Sequence, residues 1–251
     1  MRKLFLRNER GNITLFLLGM ISVMFILFMV IINFAKVYAV KEKSFTTSQQ
    51  ASLAATAEFY ERIWDVVAEF DDIDEENLPP SPDDDDDDDE NPPDVHPITE
   101  IKIKVKVGLK EDELRARYGS EKSENETHID AIDEVLTEEL TSGLGKRSLK
   151  RVLLEQYESQ IKPAVIDKAR NVILANGGKL DQAQIALFHE NRIYIKAANE
   201  FEGQGKFLDG FKEKVFQTGA GPEIGFISEL GHNDETVFLS NDRGGEVIWG
   251  D

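Results

Sequence analysis

Four histidines, His96, His128, His189 and His232, are where a metal or acid–base site would first be sought, and no two stand at metal-ligand spacing. His189-Glu190 is not followed by the second histidine of a zinc-protease motif. His232-Asn233-Asp234-Glu235 could hold a cation by composition, but reads as a loop. The chain has no cysteine, which excludes thiolate metal sites and a disulfide framework. Gly143-Leu144-Gly145-Lys146 lacks the spacing of a phosphate-binding loop, and Gly203-Gln204-Gly205 and Gly219-Ala220-Gly221-Pro222 read as turns. There is no GxSxG elbow, and carboxylates are too numerous to single out a pair. The sequence therefore gives no catalytic residue, no cofactor site and no metal site.

Charge narrows the partners. Residues 1–43 carry 7 basic and 2 acidic side chains, so the remainder of a chain with net charge −19 carries −24. So acidic a surface repels phosphate backbones and disfavours nucleic acid. Much of this charge lies in residues 71–97, DDIDEENLPPSPDDDDDDDENPPDVHP, where self-repulsion and proline oppose a helix or a core. The stretch reads as an extended linker. It lacks the alternating ligands, the central glycine and the closing glutamate of a calcium loop.

What positions everything else is Ile13–Ile32, ITLFLLGMISVMFILFMVII, twenty residues without a charge. As a helix rising about 1.5 Å per residue, it matches a hydrocarbon core of roughly 30 Å. Arg2, Lys3, Arg7 and Arg10 precede it against Glu9 alone, which favours a cytoplasmic N-terminus. Val37-Tyr38-Ala39 has the form of a cleavage site. The apolar run is longer than a signal-peptide core, however, and Lys36 adjoins the site, so the segment reads as an uncleaved anchor. Gly19 and Ser22 are small enough for close helix packing in lipid. Beyond Asn33 the helical pattern continues without Gly or Pro to about residue 70, with Phe59, Ile63, Val67 and Phe70 at helical spacing beside Trp64.

A basic tail, Arg10-Gly11 at the membrane edge, a hydrophobic helix, and then Gln49-Gln50-Ala51-Ser52-Leu53-Ala54-Ala55-Thr56 resemble the N-terminus of TadE/TadG-like Flp pilus-assembly proteins. The aspartate that the family carries in its Ala-rich segment is absent, with Ser52 or its neighbours in its place. Phe16 stands where prepilin-type substrates carry glutamate five residues after the glycine. The resemblance implies a membrane protein that packs against pilin-like or pilus-assembly partners, with homo-oligomerisation through the N-terminal helix open. It marks Gly11 and the segment Gln49, Gln50, Ala51, Leu53, Ala54 and Ala55 as the family-like positions.

Five regions are expected: a basic tail over 1–12, a transmembrane helix over 13–35, a helical stalk over 36–70, the acidic linker over 71–97, and an extracytoplasmic α+β domain over 98–251. In the last, Ile101, Ile103, Val105 and Val107 alternate with lysines as in a half-buried strand. A short helix leading into a loop follows, then a helical stripe from Ile129 to Leu140 ended by Ser142-Gly143. Further helices are expected from about Arg147 to Gln160 and from Pro163 to an Asn176-Gly177 stop. Gln184–His189 and Arg192–Asn199 read as a hairpin around Glu190-Asn191, and Val237–Leu239 with Val247–Trp249 as another. A helix closing on Ala-Asn-Gly ahead of paired strands also resembles exported domains of the pilus-assembly group. The expectation is a non-enzymatic, membrane-anchored assembly component. The alternative is an anchored sensor or ligand-binding protein, against which the short N-terminal tail argues because it leaves no room for a signalling domain.

Overall fold

The computed structural model describes residues 10–72, 102–143, 145–202, 212–231 and 234–240, with side chains from Ile13 onward. Helix α1 runs unbroken from Arg10 to Asp72, 63 residues. No Gly or Pro between Thr46 and Asp72 interrupts it, and its long apolar and Ala-rich segments supply their own backbone bonds. Helices α2 (Ile103–Tyr118), α3 (Glu124–Ser142), α4 (Lys146–Gln156) and α5 (Lys162–Ala175) follow. A π turn, Tyr157–Ile161, joins α4 to α5. Pro163 sits in the first turn of α5 without an N–H of its own, and a wider turn just before it absorbs the mismatch.

The sheet comprises β1 (Lys179–His189), β2 (Arg192–Glu202), β3 (Lys212–Ala220) and β4 (Glu235–Phe238), in the order β3-β2-β1-β4, with every pairing antiparallel. The fold is α+β. Gly177 at φ 70° ends α5 in the left-handed region, where glycine has no Cβ to strain, and its neighbour Asn176 closes on Val172. Glu190 and Asn191, both at positive φ, make the two-residue turn of the β1–β2 hairpin, in the twist that hairpins favour.

Two elements differ from the sequence expectation. Ile101 lies outside the described residues, and Ile103, Val105 and Val107, expected in a strand, instead lie at the start of α2. Ile103, Val107 and Leu114 are its buried residues, a helical repeat, while Val105 is exposed. Two carboxylate oxygens of Asp71, at the end of α1, accept from the Ile103 and Lys104 N–H groups at 3.0 and 2.8 Å and so cap α2 from a neighbouring helix. Gly219-Ala220 is the end of strand β3 rather than a turn. β4 pairs with β1, and the 247–249 strand expected as its partner lies outside the described residues. The acidic stretch from Ile73, the Gly203-Gln204-Gly205 turn, His96 and His232 lie outside them too.

The stalk is not free-standing. From Ser44 to Asp71, α1 buries one face against β2, β3 and α5, and that half of the helix shares one core with the helices and sheet after it. A helix so placed needs a partner along its whole inner stripe, and Phe59, Ile63, Val67 and Phe70 supply the apolar part of that stripe.

Candidate functional site

The apolar half of α1 carries side chains of one kind. Every large hydrophobic residue from Ile13 to Ile32 is exposed, between 38% at Ile32 and 74% at Phe16. By length and composition this helix can cross a membrane. Gly19 faces open space, since a Cβ there would meet nothing within 4 Å. The Ser22 hydroxyl donates to Leu18 O at 2.9 Å, the internal satisfaction a lipid-facing hydroxyl requires. Gly11 lies in the helix, one residue from its start at Arg10.

Twelve residues past Ile32 the helix changes character. Ser44, Thr47, Ser48, Ala51, Ser52, Ala55 and Thr56 are all buried, and they recur at three- and four-residue spacing along one face. Small side chains let the helix backbone approach the sheet closely. A Cβ on Gly219 would lie 2.4 Å from Gln49 N, and one on Gly221 would lie 2.2 Å from the Thr56 hydroxyl.

Because the approach is close, the hydroxyls reach the sheet's own backbone. Ser44 Oγ accepts from Asn199 N–H at 3.0 Å while donating to Val40 O at 2.9 Å. The Ser48 hydroxyl accepts from Ala197 N–H at 3.2 Å and donates to Gln217 O at 2.8 Å, bridging β2 and β3. Ser52 donates to Ile193 O at 2.7 Å, and Thr47 donates to Asn199 Oδ1 at 3.0 Å. Buried hydroxyls without such partners would cost stability; here each is satisfied.

The family-like segment divides across this seam. Ala51 and Ala55 face the sheet at 0% exposure, and Gln49 Nε2 donates to Ala220 O at 2.9 Å. Gln50 and Leu53 point outward, and Ala54 is half-buried. Ser52, at the segment's centre, is the residue that bonds β2.

Above the seam the packing becomes aromatic. Phe59 stacks on Phe226 at 5.9 Å and meets Phe188 edge-on at 5.2 Å. Tyr60 donates its hydroxyl to Asp133 Oδ1 at 3.1 Å. The same carboxylate accepts from Gly225 N–H at 2.8 Å and Phe226 N–H at 3.3 Å, tying α1, α3 and the segment before α6 (Ile227–Leu230) together. Burial raises the Asp133 pKa, with the two backbone N–H groups and the Tyr60 hydroxyl opposing it; burial also pushes the Tyr60 phenol upward.

The described histidines are placed separately. His128 pairs with Glu111 and meets the edge of Trp64, whereas His189 Nδ1 lies 3.0 Å from Asp234 Oδ2. Among the described residues no group of three or more metal-ligating side chains converges. Sequence reasoning singled out Gln49 to Ala55 but missed Ser44, Thr47 and Ser48. Their signal was a hydroxyl at every turn of one helix face.

Comparison of the chain with curated proteins and with solved structures found no match in either. Residues 11–58 match the model of the family described as putative Flp pilus-assembly TadE/G-like. The matched stretch takes in both the apolar run and the hydroxyl seam, ending one residue before Phe59. The similarity to the TadE/G-like pilus-assembly family thus covers the N-terminal part of this chain, from Gly11 to Glu58, about a fifth of its length.

Proposed function

We propose that the protein is a single-pass, membrane-anchored and non-enzymatic component of Flp-type pilus or surface-secretion assembly, with its N-terminus in the cytoplasm and its folded domain outside. The supporting observation is the continuity of α1. One helix is exposed, uncharged and predominantly apolar over Ile13–Ile32 and is the core element of the domain from Ser44 onward, and the family match spans both parts. An apolar surface of this length stays out of water only in lipid or against other apolar helices. The anchor packs laterally against pilin-like helices, using Gly19 and Ser22 for close approach. The domain then presents its surface to envelope partners. The basic residues before the span hold that end in the cytoplasm.

The test is intact mass and N-terminal sequencing of the chain extracted from membranes, in cells with and without the pilus ATPase. An uncleaved N-terminus that co-purifies with pilus-assembly proteins is the expected result. Cleavage after Ala39 with release to the medium would overturn the anchor, and cleavage after Gly11 would make the protein a processed pilin-like substrate.

A further inference from the structure

We propose that the end of the domain formed by the close of β2 and the starts of β1 and β3 rests on the lipid headgroups, held there by the unbroken α1. The proposal rests on the reading of Ile13–Ile32 as the membrane span. Between Ile32 and Ser44 the helix has no break and no Gly or Pro, so the span fixes both the height and the tilt of the domain. Twelve residues of helix raise Ser44 about 18 Å above the end of the apolar run. The headgroup layer takes up roughly 5–7 Å of that rise on each side. A gap of about 12 Å is left at the level of Ser44.

The strands run back into this gap. Moving down α1 from Ser52 to Ser48 to Ser44, the β2 partners are Ile193, Ala197 and Asn199, so β2 heads toward the membrane as its number rises. From Ile193 to Asn199 the strand runs about 20 Å while descending about 12 Å along the helix, so three further residues bring Glu202 about 6 Å lower, within roughly one side chain's reach of the headgroups. There Lys212, at the start of β3, pairs with Glu202 at 3.3 Å. Lys179, at the start of β1, pairs with Glu200 at 3.3 Å on the same end. Gly177 is there too, since a Cβ on it would lie 3.3 Å from Lys43 Nζ.

The collar of α1 in the gap suits a headgroup layer. Lys36, Lys41 and Lys43 face only Glu42 among its charges, in a chain whose remaining residues carry −24. Tyr38, 71% exposed, carries the amphipathic ring that favours the interface. Lys36, about 6 Å along the helix from Ile32, stands at the level of anionic headgroups, with Lys41 and Lys43 above it toward the domain. The opposite end, with the Glu190-Asn191 turn and Glu223, points away. Ile224 N–H donates to Asn191 O there, and Phe226 packs on Phe59, about 22 Å of helix above Ser44.

Because the chain has no cysteine, Glu202→Cys and Glu223→Cys each give a single labelling site. The full chain carrying a fluorophore at one or the other is reconstituted in vesicles of phosphatidylcholine and phosphatidylglycerol with a headgroup-attached quencher. Quenching at position 202 is expected to be several-fold stronger than at 223, and a short glycine insertion after Tyr38 is expected to remove the difference. Equal quenching at the two sites, or stronger quenching at 223, in protein that survives an alkaline wash of the vesicles would overturn this orientation while leaving the anchor intact. A difference that persists in the glycine variant would overturn the role given to the continuous helix. Loss of the chain from the vesicles in the wash would instead sink the anchor reading itself.

Discussion

The two halves of α1 carry their apolar residues in opposite ways. From Ile13 to Ile32 the helix is apolar all round, and every large side chain is exposed. From Ser44 to Asp71 it is much less apolar, and one face is fully buried. Hydrophobicity without a preferred side belongs to a helix whose surroundings are apolar on every side, whereas a one-sided stripe belongs to a helix with a protein partner. Small residues also mean different things in the two halves. Gly19 looks onto open space, while Ala51, Ser52 and Ala55 set how close the sheet can come.

Substitutions at matched glycines break the comparison most sharply. In Gly219→Ala the new methyl would lie within 2.5 Å of the Gln49 Cα and the Ser48 carbonyl carbon, backbone atoms of a helix that cannot yield locally. The expected loss is about 3 kcal/mol, and it requires the helix to lift off β3. Gly19→Ala adds a methyl where nothing lies within 4 Å. It should leave the domain's stability unchanged. Urea unfolding of the full chain in detergent, followed by circular dichroism, separates the two. A similar loss in both variants, or none in Gly219→Ala, would show that the seam is not the close contact described.

Hydroxyls sharpen the same contrast at smaller cost. Ser48→Ala leaves Ala197 N–H and Gln217 O without the bridge between them. Leaving buried backbone groups unpaired costs on the order of 1–3 kcal/mol. Ser22→Ala removes only a bond to the helix's own Leu18 O, and a change within about 0.5 kcal/mol is expected. Thermal unfolding of both variants in the same micelle checks the ratio. A Ser48 variant as stable as the Ser22 variant would mean that the seam hydroxyls contribute nothing net.

How far this was legible in the sequence depended on whether a residue's partner was near it in the chain. The membrane-length run, the hairpin at Glu190-Asn191 and the glycine stop at Gly177 carry local signals, and each was readable. Ile103 and Val107 were misread because a short alternation of apolar residues and lysine fits period two as well as a helix with one long gap, and Asp71 caps that helix from outside its own segment. β3 was missed because it is an edge strand with half-exposed residues, so the alternation a strand should show is blurred. The hydroxyl seam went unread for a different reason. Ser44 and Asn199 are 155 residues apart, and serine at helical spacing looks like solvated surface until the sheet that it meets is known. Most of the family-like segment was visible as a pattern; that Ser52 holds β2 was not.

The smallest of the three effects is a pH dependence confined to the folded half. Asp133 is the charge that joins α1, α3 and the segment before α6, and burial raises its pKa above the ordinary 3.8. A carboxyl whose folded pKa is raised binds its proton more tightly when folded. Its contribution to stability is therefore fully present below the unfolded value and is lost as pH rises through the folded one. Asp133→Asn keeps an oxygen acceptor for Gly225 N–H but does not titrate. In denaturant titrations at about pH 7 and about pH 4.5, the stability of wild type relative to the Asn variant should rise at the lower pH. A gap that stays constant, or that moves toward the Asn variant, would remove Asp133 from the account of this junction. Ile13–Ile32 contains no titratable group, so retention in vesicles should not change over the same range. The two readouts taken together would assign any pH response to the packed half of one continuous helix.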